Sequence, residues 1–270
     1  MMFNAKKFRK LFLTAALCVG ATFALTGCGG GDQSAAEKPA AEQNAKAIRV
    51  GASIDFAPFE FQGENDKNAQ GFDVDLIQAV GKELGREVEI SNVDFDGLIP
   101  ALEEKKIDAA ISAISINDER KGKVLFSDPY FNAGMSIVVK SDNAEINSLN
   151  DLAGKRIAVM KETLAVDRAK QIANAQVKEL ETPLACLNEL INGEADAVIN
   201  DKPVNDYNIV QHSLEGLKSL PEQLDVSDYG IAIAKDNEQL VKDINGALKK
   251  VKDSGEYDKI HDKWFGAASK

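Results

Sequence analysis

Residues 71–85 read GFDVDLIQAVGKELG. Phe72, Leu76, Ile77, Val80 and Leu84 recur at helical spacing, so one face of this stretch is apolar and suited to burial. Asp73 and Asp75 fall in the first turn, where acids complement the helix dipole, and Gly85 falls just past the end. The stretch predicts an amphipathic helix, and its two acids read as helix-terminal residues rather than ligand contacts. Its flanks have another character. Residues 48–53 form a short apolar run, and residues 87–93 alternate apolar with polar, as strands do. Strands and helices in this order begin a parallel sheet covered by helices.

The alternation continues outward. Residues 97–105 predict a helix and 108–114 a buried strand. A second run starts near Gly134, with strands over 136–139, 156–160, 177–181 and 195–200. Between them come one helical turn at 148–152 closed by Gly154, a helix over 164–173, and a helix capped by Thr182 with Pro183 at its first position. A helix over 202–210, a strand over 229–235 and a long polar-amphipathic helix over 237–253 follow. No short-period repeat is present; there are two similar halves. The expected fold class is α/β, two-lobed, each lobe a mostly parallel sheet flanked by helices. The expected division is 48–133 with 230–270 as lobe 1 and 134–229 as lobe 2. In open sheets of this kind ligands bind beyond the carboxyl ends of the strands.

The first residues are of a different kind. Residues 1–27 hold Lys6, Lys7, Arg9 and Lys10, no acid, and an apolar stretch of 15 residues, LFLTAALCVGATFAL, short for a span of ~20. This reads as a signal peptide. It runs into Leu25-Thr26-Gly27-Cys28, which resembles the bacterial lipobox, and so predicts lipidation of Cys28. Residues 28–47 lack large apolar side chains and read as a flexible tether. No other stretch is apolar and long enough to span a bilayer, so membrane attachment is expected through the lipid alone. The chain of 270 residues carries a net charge of −11, which disfavours nucleic acid and anionic headgroups. Of three cysteines, only Cys186 remains after Cys18 and Cys28 are accounted for. It falls in an apolar-periodic run and reads as a small core residue, with no disulfide framework and no metal or cofactor site.

Gly71-Phe72-Asp73-Val74-Asp75-Leu76, with Val80, Gly81 and Leu84, resembles the signature of the family 3 bacterial extracellular solute-binding proteins, the polar amino-acid receptors of ABC importers. Further blocks follow in family order: Ala57-Pro58-Phe59-Glu60-Phe61, residues 95–102 (FDGLIPAL), Asn117-Asp118-Glu119-Arg120-Lys121, Phe126-Ser127-Asp128-Pro129-Tyr130, Ala195-Asp196-Ala197-Val198 and Lys263-Trp264-Phe265-Gly266. The resemblance covers residues 48–266. It implies a two-lobed periplasmic-binding-protein fold, a small amino-acid ligand, a membrane permease as partner and a monomer.

A zwitterionic ligand needs a guanidinium for its carboxylate, N–H donors beside it and a carboxylate for its ammonium. Arg120 supplies the fork that Lys cannot, in the first turn of a helix that Asn117 can cap, where free N–H groups favour anions. The resemblance assigns Arg120 to the ligand carboxylate, with Ala113 and Ser115 contributing backbone and hydroxyl contacts, and Asp201, which follows strand 195–200, to the α-amine. It makes Thr163 the contact from the second lobe, and Phe56 and Phe95 the aromatic walls. Two departures blur the side-chain subsite. The family's Gly-Thr loop is here Lys161-Glu162-Thr163-Leu164, without the glycine, and many relatives carry Asp where this chain has Ser53. Asp55 and Glu162 turned into the cleft suit a basic amino acid. Ser53 and Asn200, with Asp55 facing solvent, suit glutamine or another neutral polar ligand. Two other functions stay open at this level. One is a dehydratase-type enzyme on the same fold, with Glu162 the odd acid. The other is a sensor module, which needs a separate signalling partner.

Overall fold

In the computed structural model, residues 46–63 and 68–266 are described. The predicted signal peptide, Cys28 and all but the last two residues of the predicted tether lie outside them. The chain runs β1 (Ile48–Ala52), β2 (Asp55–Phe56), β3 (Glu60–Gln62), β4 (Ala69–Gln70), α1 (Phe72–Leu84), β5 (Val88–Asn92), α2 (Leu98–Glu103), β6 (Ala109–Ala110), α3 (Asp118–Lys123), β7 (Val124–Phe126) and β8 (Phe131–Lys140). It continues with β9 (Arg156–Met160), α4 (Leu164–Lys170), β10 (Gln176–Leu180), α5 (Pro183–Asn192), β11 (Ala197–Asp201), α6 (Lys202–Gln211), β12 (Leu217–Tyr229), β13 (Ala232–Ala234), α7 (Glu238–Asp253) and α8 (Glu256–Phe265).

Two five-stranded sheets organise residues 46–266, in the orders β5-β1-β6-β13-β7 and β10-β9-β11-β8-β12. β1 pairs parallel with β5 and β6, and β9 pairs parallel with β10 and β11. The other pairings are antiparallel, so each sheet is mixed, and the fold is two-lobed α/β. The two sheets repeat one device. Arg49 opens β1 and grips Asp108 through Nε at 3.0 Å and Nη2 at 2.7 Å. Arg156 opens β9 and grips Asp196 through Nε at 3.2 Å and Nη2 at 2.5 Å. Each fork pins the start of a strand to the turn entering the parallel strand beside it, β6 beside β1 and β11 beside β9.

The amphipathic faces pack as their spacing predicts. Phe72, Leu76, Ile77 and Val80 of α1 join Ile48, Val50, Ile244 and Leu248 in the core of the first sheet. Ile137, Val139, Ile157, Val159 and Ile199 form the core of the second. Cys186 is buried, and burial pushes its thiol up to about 12. No helix among the described residues is long and apolar enough to cross a membrane.

Several expectations need correction. The strand expected over 229–235 is two elements: Tyr229 ends β12 in the second sheet, and β13 begins at Ala232 in the first. β12 itself was missed because Pro221 and four acidic or amide residues, Glu222, Gln223, Asp225 and Asp228, break its pattern. It nevertheless pairs along β8 from Lys140 to Phe131, through two irregularities. The helix over 164–173 stops at Lys170, and the strand over 108–114 is regular only at Ala109–Ala110. The acids of the first turn of α1 do not cap it. Asp73 is buried beneath the chain, while Asp75 Oδ2 accepts from Lys263 Nζ and Trp264 Nε1, both at 2.7 Å, tying α8 to α1.

Gly71 sits at φ 137°, and a Cβ there would lie 2.0 Å from the Phe59 carbonyl oxygen. Gly85 is left-handed too, at φ 63°, but faces open space. Gly71→Ala is expected to cost about 3 kcal/mol or more and Gly85→Ala only about 1 kcal/mol, read from urea midpoints. Equal costs would contradict the close approach.

Candidate functional site

The carboxyl ends of β6, β9 and β11 deliver the predicted residues to one place. Ser53, Phe56, Phe95, Ala113, Ser115, Arg120, Thr163, Asn200 and Asp201 line a single inner cavity between the sheets. Its volume is about 20 Å³, room for the centre of about one water, so an amino acid can enter only if the walls separate. A larger outer cleft of about 360 Å³ adjoins it and shares Phe95, Arg120 and Thr163. Glu162 lines this outer cleft, not the inner cavity. Asp55 lines neither; it is exposed, and its Oδ1 accepts from Ser53 Oγ at 3.1 Å.

Arg120 is placed by α3. Asn117 caps that helix by accepting from the Arg120 N–H at 2.8 Å. The guanidinium donates through Nη1 to the Ser115 carbonyl at 2.9 Å and through Nη2 to the Glu162 carbonyl at 3.0 Å, and stacks 5.3 Å from the Phe95 ring centroid. Both bonds go to neutral carbonyls, and among the described residues no carboxylate bonds this guanidinium. Burial pulls it below its ordinary value, opposed by the charges of Glu119, Asp201, Glu162 and Asp167.

Asp201 ends β11 and precedes α6, which it does not cap through its side chain. Burial pushes its carboxyl up to about 6, against the Tyr229 hydroxyl and the Arg120 charge. Beside it, Asn200 is buried, and neither polar atom of its carboxamide finds a partner among the described residues. Thr163 stands at the start of α4, its Oγ1 donating to the Met160 carbonyl at 2.7 Å. The preceding Glu162 holds φ 59°, so the loop keeps a left-handed residue where glycine is missing. Ala113 is left-handed as well, at φ 46°. Non-glycine residues in this region cost of order 1 kcal/mol or more and gather at binding sites.

The sequence reading missed Ser112, Met135, Met160, Leu164 and Ala165, which also line the inner cavity. Ser112 and Met160 are marked only by their places at or just past strand ends, Leu164 and Ala165 open α4, and Met135 lies mid-strand in β8, where no sequence signal points to the cavity. It also missed Lys161, whose Nζ meets Asp96 across the cleft at 3.1 Å and Glu181 on its own side at 2.7 Å.

With this geometry in view, the comparisons with known proteins agree. Residues 48–267 match the model of the bacterial extracellular solute-binding proteins, family 3, and the chain belongs to that family. It is 34% identical over 259 residues to the arginine-binding extracellular protein ArtP of Bacillus subtilis, covering 94% of this chain and 97% of that one. Among solved structures it is similar to an ancestral arginine-binding protein bound to arginine, at 43% identity and TM-score 0.78, over 82% of this chain and 98% of that one. An ancestral arginine-binding protein bound to glutamine matches at 43% identity and TM-score 0.77, with the same coverage.

The Asp201 value generates a test without ligand. Its folded value, about 6, lies above the ordinary 3.8, so its contribution to stability is full below the ordinary value and lost as pH rises through about 6. Asp201→Asn is therefore expected to stabilise the ligand-free protein by about 1–3 kcal/mol near pH 7, with the gap closing towards about pH 4. Melting curves that coincide across this range would contradict the buried charge.

Proposed function

We propose that this chain is an extracytoplasmic substrate-binding lipoprotein, anchored through Cys28. In this reading it captures a small polar amino acid by closure of its two lobes and delivers it to an ABC importer. The observation that carries the reading is the pair Arg120 and Asp201. They are opposite charges on the wall of one cavity, and among the described residues neither is bonded by an ion of opposite charge. Burying a charge without a partner is costly, and an α-amino acid offers both partners at once.

In this assignment the ligand carboxylate bonds the Arg120 guanidinium, with Ala113, Ser115 and Thr163 beside it. The ammonium bonds Asp201, and Phe56 and Phe95 cover the aliphatic part. The lobes divide at 133/134 and 229/230, where β8 and β12 pair from Phe131 opposite Tyr229 to Ala133 opposite Ser227. These are the strands about which the lobes would hinge. Ser53 and Asn200 face the ligand side chain, with Glu162 on the adjoining outer cleft and Asp55 outside both. Glutamine or a basic amino acid suits this wall, and the relatives' ligands, arginine and glutamine, support that class. Glu162, the acid a dehydratase reading would use, lies on the outer cleft, which favours a receptor over an enzyme. The tether of residues 28–47 would hold this receptor near its permease, as a monomer.

Thermal-shift screening with the twenty amino acids, ornithine and cystine tests the reading. Arginine, lysine, ornithine or glutamine is expected to raise the melting temperature most, and aspartate and glutamate not at all. No shift with any of them would contradict it. Arg120→Lys is expected to weaken the best ligand by at least ~2 kcal/mol, through loss of the charged fork. A change under about tenfold in Kd would remove Arg120 from the carboxylate site.

A further inference from the structure

Two acids outside the proposed set of ligand contacts sit behind the loop that forms part of the cavity wall. Glu60, at the start of β3, and Asp73, in the first turn of α1, are both at 0% exposure. Glu60 Oε1 accepts from Ser112 Oγ at 2.7 Å, and Ser112 Oγ accepts from the Ser53 N–H at 3.0 Å. Asp73 Oδ2 accepts from the Ala113 N–H at 2.8 Å and from the Tyr130 hydroxyl at 2.7 Å. Three residues of the inner wall, Ser53, Ser112 and left-handed Ala113, thus hang on these two carboxyl groups.

The other two oxygens, Glu60 Oε2 and Asp73 Oδ1, are buried and meet no N–H or O–H donor of an ordinary side chain or backbone among the described residues. The two carboxyl groups instead interact with each other. The titratable groups that act on Glu60 from neighbouring elements are Asp55 on β2, Asp73 on α1, Tyr130 before β8 and Tyr229 on β12, and Tyr257 on α8 acts on Asp73. All are acids or phenols; none brings positive charge. Two ionised carboxylates in contact, dry and without a cation, repel strongly, and one proton between them turns repulsion into a hydrogen bond. The donors identify its owner. Asp73 receives two bonds on one oxygen and is stabilised as the anion, whereas Glu60 receives only one.

We propose that Glu60 is a positioning residue that works in its protonated form, donating from Oε2 to Asp73 Oδ1, so that the pair holds Ser112 and Ala113 in the shape the ligand site needs. The binding consequence rests on the amino-acid-receptor reading; the proton itself does not. Burial, with the Asp73 charge added, pushes the Glu60 carboxyl well above the usual carboxylate range, in keeping with this. Because the folded value is raised, the stabilisation is full below the ordinary glutamate value and is lost as pH rises through the folded one. The site should therefore loosen at alkaline pH.

Glu60→Gln tests this, because its amide oxygen can still accept from Ser112 while its N–H₂ donates permanently to Asp73. Wild type and E60Q are titrated with L-arginine and L-glutamine by calorimetry. Their ligand-free melting temperatures are followed over the same pH range. E60Q is expected to bind within about threefold of wild type near pH 7, whereas near pH 9.5 wild type should lose about tenfold more affinity than E60Q. The ligand's own ammonium titrates equally against both proteins and cancels in the ratio. Infrared spectra near pH 8 should show a protonated-carboxyl C=O band in wild type that is missing in E60Q. Superimposable pH profiles, or no such band in wild type, would overturn the proposal. If neither amino acid binds wild type at any pH, the receptor reading fails on its own. The infrared band and the ligand-free melting profiles still decide the proton.

Discussion

Two half-buried charges of opposite sign face one cavity without meeting each other, and the rest of the molecule keeps them so. Among the described residues the Arg120 guanidinium hydrogen-bonds only main-chain carbonyls, and Asp201 is held against burial by a phenol and the Arg120 charge. A direct pair would satisfy both and leave nothing for a ligand. Their separation follows from topology. Arg120 rises from α3 after β6 of the first sheet, and Asp201 ends β11 of the second. Residues at the carboxyl ends of strands in different sheets meet only where the sheets face each other, at the crevice the fold leaves for a ligand.

In the receptor reading, the same arrangement lets closure depend on ligand. Across the crevice the protein supplies its own bonds, Arg120 to the Glu162 carbonyl and Lys161 to Asp96. The second is a surface ion pair with both side chains about a third or more exposed, the kind that contributes ~0–1 kcal/mol. In the receptor reading, contacts this weak would not lock the lobes together. A ligand that touches both sides supplies the differential free energy that shifts the population. The strained residues, Ala113 and Glu162, lie on opposite walls, and the network behind Ala113 shows how one of them is held.

Much of this was legible in the sequence. The helical spacing of Phe72, Leu76, Ile77 and Val80, the caps Asn117 and Thr182, and the strand-helix alternation all stand in the structure, because each is local and the core rewards it. Arg120, Asp201 and Thr163 were legible as chemistry at strand ends. What was not legible depends on distance along the chain. β12 has no strand pattern and exists because β8 pairs with it. Asp73 looked like a helix-terminal acid because nothing local shows that residue 113, forty residues away, donates to it. Asp55 was two residues from Ser53 and so suited to the same face of a strand, but the chain turns there and the side chain ends outside the cavity.

The central claim is that one ligand backbone bridges Arg120 and Asp201. Titration calorimetry with three compounds addresses it directly: the best-binding L-amino acid, its decarboxylated amine and its desamino acid. The account predicts that removing either group costs a hundredfold or more in Kd, of order 3 kcal/mol, because each truncation leaves one buried charge alone. Binding of either truncated compound at nearly the affinity of the amino acid would contradict it.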